Sequence, residues 1–178
     1  MLADPRQSCV VLLNVTRPSP AGVTETLALR RAKSLSLLAV CKELFAVPLL
    51  VLGDYDKAQF SDPIDGSVRR LDVETFALWR DARFTDVLAG SNARRIFLGG
   101  AFLEEEVLIA ALDGARLGYD VRILSDVTVA RQEADRSLVL NRLAHHGILA
   151  TTMGQVLLEW SVSLDDPAVS AKIQQLLA

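Results

Sequence analysis

The chain has 178 residues, enough for one ordinary domain and too few for two sizeable ones. Hydrophobic residues make up 51% and charged residues 23%, which excludes disorder for the bulk of the chain, and 6% aromatics require an aliphatic core. Nineteen Lys and Arg against 22 Asp and Glu leave a net charge of −3, which gives a phosphate backbone no field to follow, so no nucleic-acid partner is expected. A chain this long buries about 70% of its unfolded surface and needs no metal or disulfide staple. Cys9 and Cys41 sit in apolar runs and read as buried free thiols of a reducing compartment. Asp4 and Pro5 make a poor signal peptide, and no apolar run reaches membrane-span length, since Lys42 and Glu43 interrupt the greasiest stretch. A cytoplasmic protein without a membrane partner is expected.

Short β-branched or Leu-rich runs alternate with stretches of helical period. Residues 10–15 read as a buried strand, and 24–45 as one long helix. That helix places Leu27, Leu35, Leu38 and Cys41 on one side, with Arg30, Arg31, Lys33 and Lys42 mostly on the other. Residues 47–52 form the next strand, 53–66 a loop dense in Asp, Pro, Gly and Ser, and 68–73 a short strand. A helix over 76–88, a strand over 95–98 ended by Gly99-Gly100, and a helix over 103–117 follow. The pattern closes with a strand at 120–124, a helix at 133–146 stopped by Gly147, a strand at 148–151 and two short helices broken at Asp165-Asp166-Pro167. Such alternation predicts one three-layer α/β domain over residues 1–178, with a mainly parallel sheet covered by helices on both faces. A ligand site then lies beyond the C-terminal strand ends, among residues 14–17, 53–57, 99–106, 125–128 and 151–154.

Few motifs carry chemistry. Gly99-Gly100 before a helix is a fragment of a phosphate-binding turn, but Glu104, Glu105 and Glu106 in the next turn repel a phosphate while complementing the helix dipole. His145 and His146 are adjacent, about 100° apart on a helix, and cannot chelate one metal together, so no metal site is expected. Asp54, Asp56, Asp62 and Asp65 form an acidic loop near Arg17 and Lys57; the four carboxylates suit turn formation as well as acid–base or cation chemistry.

From Leu98-Gly99-Gly100-Ala101-Phe102-Leu103-Glu104-Glu105-Glu106-Val107 through Ala110-Ala111-Leu112-Asp113 and Gly118-Tyr119-Asp120-Val121, the sequence resembles the nucleophile region of isochorismatase-like cysteine hydrolases. Ser125-Asp126, Glu133-Ala134-Asp135-Arg136, Arg142-Leu143, Gly147, Thr151-Thr152 and Leu157-Leu158-Glu159-Trp160 continue the likeness, and Tyr55-Asp56-Lys57 is similar to a Tyr-Pro-Lys stretch of the short isochorismatase-domain branch. The resemblance implies a Rossmann-like sheet of about six parallel strands, no cofactor, and a homo-oligomer. It also implies an Asp, a Lys and a nucleophilic Cys. Carried over position by position, these fall on Asn14, on the neighbourhood of Arg70, and on Glu106, so all three functional groups are replaced. Tyr55, Lys57, Trp79, Gly100, Ala101 and Phe102 are the ligand-contact candidates that go with this site.

Asn has no proton that titrates near neutral pH, and an acyl-Glu is an anhydride, so the replacements do not preserve the chemistry. One expectation is a pseudoenzyme that binds a small molecule or assembles. Another is a divergent hydrolase of a small amide, ester or vinyl ether that uses Glu106 as base. A third is a structural subunit whose Trp160, Leu164, Val169, Ile173, Leu176 and Leu177 form an interface, or else cap the chain's own core.

Overall fold

The computed structural model describes residues 2–20, 23–59, 65–66 and 68–178. Its strands are β1 (Ser8–Leu13), β2 (Leu49–Leu52), β3 (Arg69–Leu71), β4 (Arg95–Gly100), β5 (Asp120–Leu124) and β6 (Leu149–Thr151). Its α-helices are α1 (Glu25–Ser36), α2 (Leu38–Glu43), α3 (Ala82–Gly90), α4 (Leu108–Arg116), α5 (Arg136–His145), α6 (Met153–Ser163) and α7 (Pro167–Leu177). All neighbouring strands pair in parallel, in the order β3-β2-β1-β4-β5-β6.

Strand alternation divides the core between the two sheet faces. Cys9, Val11 and Leu13 of β1, with Ile96 and Leu98 of β4, pack against Phe84 and Leu88 of α3, Ala111 of α4 and Leu143 of α5. Val10 and Leu12, with Phe97, pack the other way, against Leu38 of α2, Val156 and Trp160 of α6 and Ile173 of α7. Trp160 meets Phe45 and Phe97 at ring distances of 5.4 and 5.5 Å. The C-terminal apolar residues therefore cap the chain's own core, with Leu176 left exposed. Both cysteines are free and buried, and burial raises each thiol to about 12.

Three helices differ from the pattern reading. The long helix is interrupted at Leu37, which ends α1 and precedes α2. Helix α1 lies largely exposed, with Leu27 at 39% exposure and Arg31 half-buried on the side of Ser34 and Leu38. The segment after β3 begins as a 3₁₀ turn, Thr75–Arg80, and α3 starts afresh where the Asp81 carboxylate accepts from Arg83 N at 2.9 Å. The helix after β4 opens with a π-helical turn, Leu103–Val107, in which Glu105 leaves helical geometry.

The chain runs from β1 outward to β3, then crosses back to β4 on the other side of β1. This reversal leaves a crevice beyond the C-terminal ends of β1 and β4. Gly100 lets the two strand ends close up: its φ is +117°, and a Cβ there would lie 1.9 Å from Leu13 O.

Candidate functional site

Asn14 is the first residue after β1 and adopts φ +46°, a conformation Asn tolerates better than most residues. It is 1% exposed. Its Oδ1 accepts from Asp54 N at 2.9 Å, and its Nδ2 donates to Thr75 Oγ1 and to Glu106 Oε1, each at 3.2 Å, with Ala101 O at 3.5 Å. The close approach to the β2 crest requires Gly53, since a Cβ there would lie 2.2 Å from Asn14 Oδ1.

Glu106 lies on the π-helical turn and is 2% exposed. That turn aims its carboxylate back at the crevice, where Oε2 accepts from Phe102 N at 3.3 Å. Arg17, three residues past Asn14, completes the cluster. Its Nη1 donates to Glu106 Oε1 at 2.5 Å and its Nε to Asp54 Oδ2 at 2.6 Å. Burial alone would lower the Arg17 pKa, but the bonds to Asp54 and Glu106 hold it above the ordinary value, so the cation persists.

The two preceding acids are also engaged. Glu105 pairs with Arg131, which holds its carboxyl below the usual range, and Arg131 lies 4.2 Å from the Phe102 ring centroid. Glu104 Oε1 accepts from Gln132 N at 2.8 Å. The three acids expected along the first turn of an ordinary helix therefore serve separate partners, because the π-turn splays them.

Chemically, the crevice presents a carboxylate with three donors already in place: an amide, a guanidinium and a backbone N–H. The Phe102 N–H sits where the resemblance puts a nucleophile's helix start, and it is occupied by Glu106.

No family model matches the chain. Isochorismatase domain-containing protein 1 of Danio rerio is 27% identical over 133 residues, which is 70% of this chain and 45% of that protein. The match thus spans about half the length of the curated relative. The YcaC gene product of Escherichia coli, described as an octameric hydrolase of unknown specificity, has a solved structure with TM-score 0.77 and 15% identity, covering 99% of this chain and 90% of that one. The MAR1 ribonuclease of Caenorhabditis elegans gives TM-score 0.78 at 17% identity, covering 99% and 92%. The chain has the isochorismatase-like fold.

In this isochorismatase-like chain the Asn14 and Glu106 side chains meet, as do Gly100, Ala101 and Phe102 around them. Arg70 does not join them; its guanidinium lies 4.9 Å from the Tyr55 ring centroid. Thr75 is the residue that bonds Asn14 from the β3 side. The Tyr55 hydroxyl donates to Asp65 Oδ1 at 2.8 Å; burial first, and Asp65 second, raise its pKa to about 12. Lys57 pairs with the other Asp65 oxygen at 3.2 Å. Trp79 donates to Ala110 O at 2.9 Å and stacks on Tyr119, without a hydrogen bond to the crevice cluster among the described residues. Asp62 lies outside the described residues. Among the described residues no three His, Cys, Asp or Glu are grouped to hold a metal ion, and no helix is long and apolar enough to cross a membrane. Arg17 was legible only as a cation near the acidic loop, and Thr75 gave no signal, since a lone Thr after a short strand is common.

Proposed function

We propose that this isochorismatase-like protein is a pseudoenzyme at the family's cysteine centre, a single domain that works by binding a small molecule or by assembling with copies of itself. The observation that carries the reading is the part-buried ion pair of Arg17 with Glu106, the residue at the position that the resemblance gives to the nucleophile. The Glu106 carboxylate already accepts from Asn14 Nδ2, Arg17 Nη1 and Phe102 N, and Asn14 has no group that titrates near neutral pH. Assembly draws support from the octameric Escherichia coli neighbour and from exposed apolar side chains, Leu29 at 64%, Leu138 at 69% and Val162 at 59%. Buried free cysteines suit a cytoplasmic setting. A net charge of −3 supports no nucleic-acid role for this chain, whatever its nematode neighbour cleaves.

The test is hydrolysis of small amide, ester and vinyl-ether substrates by the natural chain and by Glu106→Gln. The expected result is no turnover above the blank for either, with a lower melting temperature for the variant. Turnover that disappears in Glu106→Gln would establish the divergent hydrolase instead.

A further inference from the structure

A cavity of about 190 Å³ lies between α1 and the segment joining β5 to α5, and none of its walls belongs to the Asn14–Arg17–Glu106 cluster. Five charged side chains face it: Arg30, Arg31, Asp126, Glu133 and Arg136. Three of them are settled within the protein. Arg136 holds both Glu133 oxygens, at 2.7 and 2.8 Å. Asp126 accepts from Ser34 Oγ at 2.7 Å and from Met153 N at 3.0 Å, at the start of α6.

The other two are not. Arg31 is half-buried, and its bonds go to neutral carbonyls: Nη2 to Val15 O at 2.6 Å and Nε to Val127 O at 3.3 Å. Its Nη1 makes no hydrogen bond among the described residues, and no carboxylate pairs with it there. Burial pushes its pKa below the ordinary value, the mark of a cation without a counter-charge. Arg30, one residue earlier at the same cavity, has no ion pair among the described residues. Arg30 is exposed, whereas Arg31 is partly removed from water, which is costly for a cation unless an anion compensates it. Leu27, Val129 and Leu140 supply apolar wall between the charges.

We propose that this cavity binds a small organic anion, with its carboxylate on the forks of Arg30 and Arg31 and its apolar body against Leu27, Val129 and Leu140. The volume lies below the roughly 300–1,000 Å³ of drug-sized sites, which limits the occupant to a short-chain acid and excludes a nucleotide. Arginine forks match carboxylate geometry in a way a neutral amide cannot reproduce. The proposal deepens the binding half of the reading above, but its test reads a titration rather than turnover, so the two fail separately.

Isothermal titration calorimetry with pentanoate and its neutral isostere pentanamide tests it. Saturable binding of pentanoate is expected, with pentanamide at least about tenfold weaker. Arg30→Gln, at an exposed position with no ion pair among the described residues, is expected to weaken pentanoate about tenfold at an unchanged melting temperature. Absent heat with pentanoate, equal affinity for pentanamide, or an undiminished affinity in Arg30→Gln would each overturn the assignment.

Discussion

The two charged regions at the C-terminal side of the sheet are built on opposite terms. Around Glu106 three carboxylates meet a guanidinium: Glu106 and Asp54 share Arg17, and Glu105 pairs with Arg131, while Glu104 accepts from Gln132 N. Around Arg31 the carboxylates are used up by Arg136 and the α6 N-terminus, and two guanidinium groups remain over. The first cluster, whose buried carboxylate is held by three donors, is the one proposed to serve the fold, and the cavity with two arginines lacking a carboxylate among the described residues is the one proposed to take a ligand. Under the proposed function, the position that the resemblance gives to the nucleophile is the occupied one.

The contrast can be broken most severely at Arg17. Arg17→Ala leaves the Glu106 carboxylate buried without its cation, and a loss of about 3–5 kcal/mol is expected in urea unfolding. Gly53→Ala strikes the same cluster through sterics. Its new Cβ meets Asn14 Oδ1 at a φ of +74°, and a loss of about 2–3 kcal/mol is expected from the same measurement. Arg31→Met removes the surplus cation instead. It forfeits two bonds to carbonyls but strands no charge, so a loss of about 1–2 kcal/mol, well short of Arg17→Ala, sharpens the difference between the regions.

The smallest effect concerns acid. Arg136 depresses the Glu133 carboxyl below 4.5, so its stabilisation is present above that value and is lost as pH falls through the folded-state pKa. Glu133→Gln has nothing to lose there. The stability gap between the natural chain and this variant, less than about 1 kcal/mol at neutral pH for so accessible a pair, is expected to close below 4.5. A gap that widens in acid would place Glu133 on a different partner.

The sheet was legible because its strands are short apolar runs separated by helical period, and six of them appear where the pattern put them. Residues 14–17 and 99–106 were legible as site segments, because strand ends and helix starts meet at one edge of a parallel sheet, and the resemblance singled out Asn14 and Glu106 within them. Their bonding was not. Arg17 and Glu106 are 89 residues apart, and only the adjacency of β1 and β4 makes them neighbours. Hydrophobic periodicity likewise could not show the π-turn at Leu103–Val107, since one extra residue in a turn hardly disturbs the apolar face, although it decides where Glu106 points. Arg31 was grouped with the cations mostly on the outer side of the helix, but it lies three residues before the buried Ser34 and shares that face.

The most direct test is a double-mutant cycle on Arg17 and Glu106, using Arg17→Gln, Glu106→Gln and the double variant in equilibrium unfolding. A carboxylate held for structure couples to its guanidinium, and a favourable interaction of about 1–3 kcal/mol is expected, with the double variant more stable than the sum of the single losses allows. A coupling of zero would show that Glu106 does not depend on Arg17, and would contradict the assignment of this cluster to the fold rather than to chemistry.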